Sequence, residues 1–117
     1  MKKEPHIYVG HILQCITSIL EYTSGMNEDD FLRNKLVQDA VLRNFEVIGE
    51  ASKQIDTPFR EQYTQIPWRK MAGLRDKLIH DYMGVDLWAV WEVVATILPQ
   101  QAIDFKNIVN DLEKNNF

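Results

Sequence analysis

At 117 residues the chain is long enough to bury one hydrophobic core, and 45% hydrophobic with 26% charged content excludes a disordered or fibrous protein. The formal net charge of −4 excludes a general nucleic-acid coat, whose phosphate partner wants a positive surface, but leaves a local site open. Cys15 is the one cysteine and the three histidines are scattered, so neither disulfides nor a structural metal site is expected.

No apolar run approaches the roughly 20 residues that span a bilayer. The opening Met1-Lys2-Lys3-Glu4-Pro5-His6 is interrupted too early by charge and proline to be a signal peptide. These features predict a cytoplasmic protein, one domain over 1–117, with no membrane association, metal or cofactor.

In chain order, Tyr8, Ile12, Cys15, Ile16, Ile19 and Tyr22 recur at helical spacing between Pro5 and Gly25, predicting a first helix. Asn27 before Glu28, Asp29 and Asp30 is an N-cap with an acidic first turn. Phe31, Val37, Val41, Phe45, Ile48, Ala51 and Ile55 then predict one long second helix ending before Pro58. Its other side carries Asp39, Arg43, Glu46, Glu50 and Lys53, read as a solvent face with weak ion pairs.

Residues 56–67 read as a connection with one helical turn around Phe59 to Tyr63. Pro67 opens a predicted third helix through Trp68, Met71, Leu78 and Tyr82, within which Gly73 suggests the close approach of another backbone. Gly84 closes that helix and Asp86 caps the next, whose pattern runs from Leu87 through Val90, Trp91, Val94 and Ile97 to Leu112. Pro99 is expected to kink this last helix without ending it. The architecture predicted is all-α, a four-to-five-helix bundle, up-down antiparallel, with the last helix kinked at a proline.

Chemistry concentrates in Leu74-Arg75-Asp76-Lys77-Leu78-Ile79-His80-Asp81-Tyr82, which combines a permanent guanidinium, a histidine that titrates near neutrality and a phenol. These groups bind a phosphate and move a proton beside it without a metal. Arg60, Arg69, Lys70, Arg75 and Lys77 add local positive charge to an acidic chain, unless they are merely a solvated face. On a continuous helix, at about 100° per residue, Asp76 and His80 stand about 40° apart and Arg75 and Tyr82 about 20° apart, with about 140° between Arg75 and His80. Asp76 can then orient the imidazole. The plain alternative is an Asp76–His80 pair, a Lys77–Asp81 pair and Tyr82 at the core boundary. His6 and His11 lack partners at ligand spacing and read as surface residues. Trp68, Trp88 and Trp91 surround the motif where anchors of a dimer interface are expected.

Arg75-x-x-x-x-His80-x-Tyr82, with a polar residue directly after the arginine, resembles the active-site signature of the HEPN ribonucleases. Gly49-Glu50-Ala51, Ile66-Pro67-Trp68, Gly73-Leu74-Arg75-Asp76, Val85-Asp86 and Trp91 extend the likeness to the HepT branch in particular, over nearly the whole chain. The resemblance implies a HEPN-type bundle and a metal-independent endoribonuclease that acts as the toxin of a toxin-antitoxin pair, with RNA as substrate and a minimal nucleotidyltransferase (MNT) as antitoxin. It implies that Arg75 and His80 are catalytic, that Asp76 tunes them from a position often held by asparagine, and that Tyr82 is the tyrosine the antitoxin modifies with adenylate. A homodimer is implied as well, since each chain brings a single motif histidine. Two other classes of function stay open: a non-catalytic HEPN binding subunit of a nucleotidyltransferase, and a plain helical interaction module. Incubation of the protein with RNA separates the first reading from these.

Overall fold

The computed structural model describes residues 4–80 and 84–115; of Arg75, Ile79, His80 and Asn115 it describes the backbone. Helix α1, Pro5–Tyr22, starts with proline in its first turn, where the missing N–H has no intrahelical partner to lose. Its buried stripe is Val9, Ile12, Cys15, Ile16 and Ile19.

The single long second helix expected from Asn27 to Ile55 is instead two, α2 (Glu28–Leu32) and α3 (Lys35–Lys53). Side chains make the break. The Asn34 side chain accepts from the Val37 N–H at 3.0 Å and so starts a new helix. The Gln38 amide donates to the carbonyls of Phe31 and Leu32 at 2.9 and 3.1 Å, satisfying the end of the preceding one. At the start of α2, Asn27 and Asp30 form a reciprocal capping box.

Asp56 caps α4, Thr57–Gln62, by accepting from the Phe59 N–H. Arg60 then reaches back to the C-terminus of α3, donating from Nη2 to the Ser52 carbonyl at 2.7 Å and from Nε to the Ile55 carbonyl at 3.0 Å. A cation at that end of a helix meets both the orphan carbonyls and the dipole. The expected third helix divides into α5, Trp68–Ala72, and α6, Leu74–Leu78, at Gly73. An antiparallel pair follows, β1 (Ile79–His80) with β2 (Gly84–Val85).

Asp86 caps α7, Leu87–Glu92, as expected. A π-helical segment, Val93–Ile97, leads into α8, Leu98–Asn115, whose second residue is Pro99. Proline has no N–H to donate and its ring crowds the carbonyl four residues back, so a wider turn just before it lets the helical path continue.

The result is an all-α bundle in which α1 packs between α3 and α8, while α5 and α6 lie on α3 and α2 rests on α3 and α7. Phe31, Phe45, Phe105, Ile12, Ile16, Ile48 and Leu78 fill its core. No described helix is long and apolar enough to cross a membrane. The backbone approach expected at Gly73 occurs at Gly49. A Cβ there would stand 3.4 Å from the Ala72 carbonyl oxygen and 3.7 Å from that of Met71, whereas at Gly73 it would meet only the Arg69 carbonyl of the preceding turn. Gly10, inside α1, has open space where its Cβ would be.

Two glycines therefore respond oppositely to substitution. Gly10→Ala should stabilise the fold by about 0.5–1 kcal/mol through helix propensity, and Gly49→Leu should cost about 1–3 kcal/mol by forcing α3 and α5 apart. Arg60→Ala should cost about 1–3 kcal/mol by stripping charged donors from the end of α3. Urea midpoints at constant slope measure all three.

Candidate active site

Gly73 ends α5 and accepts the Lys77 N–H at 3.1 Å, so a new short helix begins immediately and carries Arg75 and Asp76. Leu78, 1% exposed, pins the end of that helix into the core. The chain then leaves helical geometry. Ile79 pairs with Val85 and His80 with Gly84, and the Asp86 N–H donates to the Leu78 carbonyl at 3.0 Å. Gly84 has φ +80°, a left-handed conformation that residues with a side chain rarely adopt.

This corrects the expected geometry of the motif. His80 belongs to β1, so the one-turn Asp76–His80 relation on a helix face does not apply. Tyr82 lies outside the described residues together with Asp81 and Met83, and the two-turn Arg75–Tyr82 face loses its premise because α6 ends at Leu78. The elements join Arg75 to His80 through one short helix and one strand, and the start of α7 is tied back to that junction. Local β-propensity of Ile79 and Val85, the turn-forming Gly84 and the anchored Leu78 together outweigh the helical spacing.

The basic stretch also divides. Arg60 is committed to the end of α3, whereas Arg69, Lys70 and Lys77 are exposed and, like Asp76, stand on the surface of α5 and α6. The charged stripe on α3 is the solvent face expected, with Arg43–Glu46 and Lys53–Glu50 both at 3.6 Å and Lys35–Asp39 at 3.1 Å, all surface pairs worth little.

Two of the three tryptophans expected at an interface are structural. Trp68 is 6% exposed, packs edge-on against Phe59 and Phe105, and donates its indole N–H to the Tyr63 carbonyl at 3.0 Å. Trp91 is half-buried with its ring centroid 5.4 Å from that of Phe31. Trp88, 63% exposed in the first turn of α7, keeps an open aromatic surface.

Other reactive groups stand apart. Burial pushes the Cys15 thiol upward and Arg43 only partly offsets this, leaving an inert thiol rather than a nucleophile. Burial first, and then Asp111, raise the Tyr63 phenol. His6 and His11 are exposed on α1, as expected of surface residues. Among the described residues no group of three or more histidine, cysteine or acidic side chains is placed to hold a metal ion.

Residues 12–110, which span the whole motif, match the model of the ribonuclease HepT-like family. A protein of Methanocaldococcus jannaschii, named as a gamma-glutamylcyclotransferase and candidate RNase, is 47% identical over 98% of this chain, which spans only 52% of that relative. A second protein of that organism, named as a candidate RNase, is 41% identical over 97% of each chain. A candidate ribonuclease HepT of Thermococcus cleftensis is 42% identical over 92% of this chain and 98% of its own length. No solved structure matches. An all-α bundle, the motif from Arg75 onward and likenesses that cover nearly all of this chain agree, and the chain belongs to the HepT-like branch of the HEPN ribonucleases.

Proposed function

We propose that this chain is a metal-independent endoribonuclease in which Arg75 and His80 are the catalytic pair. The observation that carries the reading is the family match across residues 12–110, with arginine, histidine and tyrosine all present in the motif at positions 75, 80 and 82. The nucleophile is the substrate's own 2'-hydroxyl, so the protein needs neither an activated serine nor the inert Cys15. Attack of the 2'-oxygen on phosphorus breaks the bond to the 5'-oxygen. The 2'-hydroxyl gives up its proton, the leaving 5'-oxygen gains one, and the products are a 2',3'-cyclic phosphate and a 5'-hydroxyl. His80 moves a proton at one of these oxygens, and Arg75 stabilises the charge that builds on the phosphorane-like transition state. Asp76, adjacent to Arg75 on α6, tunes the pair: a carboxylate there offsets part of the local positive charge and repels the RNA backbone.

With one motif histidine per chain, a two-fold dimer supplies a second proton carrier to the same cleft. Trp88, left open on α7, is the aromatic anchor available to such an interface. In this reading residues 1–117 form one HEPN domain that acts in the cytoplasm as the toxin of a pair. Its antitoxin is an MNT nucleotidyltransferase that transfers adenylate from ATP to the Tyr82 hydroxyl, with pyrophosphate leaving. The adenylate added to the motif brings negative charge that repels the RNA backbone.

His80→Ala and Arg75→Ala should each lower RNA cleavage by about two to four orders of magnitude with circular dichroism unchanged, and cleavage by the wild type should persist in EDTA. Undiminished cleavage by the His80 variant would falsify the mechanism. Co-expression with a neighbouring nucleotidyltransferase should add adenylate-sized mass to the protein, and Tyr82→Phe should abolish the addition. An adduct that survives in that variant refutes the assignment of Tyr82.

A further inference from the structure

Beside the motif, α5 and α6 face the π-helical segment and α8 across a groove of about 150 Å³. Its walls are apolar, chiefly Met71 and Leu74 on one side and Val93 and Ile97 on the other. Lys70 and Lys77 also line it, both exposed and neither in an ion pair among the described residues. Gln101 completes the lining. It is 8% exposed, and its amide is the one uncharged polar side chain of the lining.

An apolar slot beneath exposed lysines suits an amphipathic anion, and each part of the lining narrows the class. The volume is well below the roughly 300–1,000 Å³ that encloses a drug-sized ligand, so one flat ring enters while the rest of the ligand stays outside. A primary amide both donates and accepts, as the edge of a nucleobase requires. Lys77 lies on α6, the five-residue helix that also carries Arg75, so a chain gripped here is held close to the motif. The π-helical turn supplies Val93 and Ile97 and widens the wall they form, a distortion that recurs at functional sites.

We propose that this groove is a single-nucleotide subsite for the RNA strand, resting on the ribonuclease reading above. One unpaired base lies between Leu74 and Ile97 with its edge read by the Gln101 amide, while Lys70 and Lys77 hold the flanking phosphates. Recognition of unpaired RNA commonly combines an apolar face, an edge contact and backbone cations in this manner.

The test is titration of a fluorescent 2'-O-methyl oligonucleotide about ten nucleotides long, which lacks the 2'-hydroxyl needed for cleavage and so reports binding alone. Lys70→Gln combined with Lys77→Gln should weaken binding about tenfold and reduce the slope of log affinity against log salt by about 1.4, two phosphate contacts at about 0.7 each. Gln101→Leu should keep the salt slope but erase differences in affinity among oligo(A), oligo(U) and oligo(C) probes. Unchanged affinity and slope in the double lysine variant overturn the subsite. So does an altered sedimentation coefficient in that variant with oligonucleotide binding intact, which makes the groove a subunit contact, or AMP binding as tightly as the oligonucleotide, which makes it a free-nucleotide site. A wild type that binds in this lysine-dependent way but cleaves no RNA keeps the subsite and rejects the ribonuclease mechanism.

Discussion

The close approach of α5 to α3 at Gly49 is the constraint on which the motif's position depends. The carbonyls of Met71 and Ala72 stand in ordinary van der Waals reach of where a Cβ would be, and α5 lies directly on α3. Gly73 then restarts the chain as α6, whose last residue, Leu78, is driven into the same core. Arg75 is thus carried on a helix of five residues held at both ends. A helix that short has almost no stability of its own, because nucleation is costly and few hydrogen bonds repay it. Its geometry is imposed by packing on α3 rather than by local propensity.

The same dependence explains what was legible in the sequence. Wherever burial follows one uninterrupted helical stripe, as in α1 with Val9, Ile12, Ile16 and Ile19, spacing and flanking proline or glycine are sufficient to find the element. The breaks are harder. Asn34 and Gln38 end one helix and start another through side chain to backbone bonds, and neither residue interrupts the apolar period from Phe31 to Ile55. The chemistry of the candidate site was visible as residue types, but its geometry was not. Assigning Asp76 and His80 to one helix face assumed that α6 continues, and the pairing of Ile79 with Val85 is a non-local choice that no period reveals. Gly84 signalled a turn correctly, although the element that it belongs to is a strand pair rather than a helix end.

Aromatic residues and cations gave the sequence most of its apparent interface, and much of that has been spent on folding. Trp68 joins α5 to Phe59 and Phe105, and Trp91 joins α7 to Phe31, so both bury large apolar area in the monomer. Arg60 serves as a cap for α3. What remains at the surface, Trp88 together with Arg69, Lys70 and Lys77, is a smaller set than composition suggests, and it borders the segment that carries Arg75. A residue still available after the fold has taken its share is a better functional candidate than one counted from the sequence.

That subtraction also resolves how a chain of net charge −4 can accommodate a polyanion. Much of the acidity of α2 and α3 is already met by neighbouring cations, as Asp30 is by Arg33, Asp39 by Lys35, Glu46 by Arg43 and Glu50 by Lys53. Such exposed pairs contribute little to stability, but they shorten the range of the field around each carboxylate. Salt shortens it further, to about 8 Å at physiological ionic strength. Between residues 69 and 77, by contrast, the sequence holds four cations, Arg69, Lys70, Arg75 and Lys77, and the single carboxylate of Asp76. An RNA strand within a screening length of α5 and α6 therefore experiences the local excess of positive charge rather than the average over the molecule. Net charge governs how the chain behaves toward nucleic acid at a distance and argues for weak non-specific binding; the distribution around the motif governs what happens once a strand is seated.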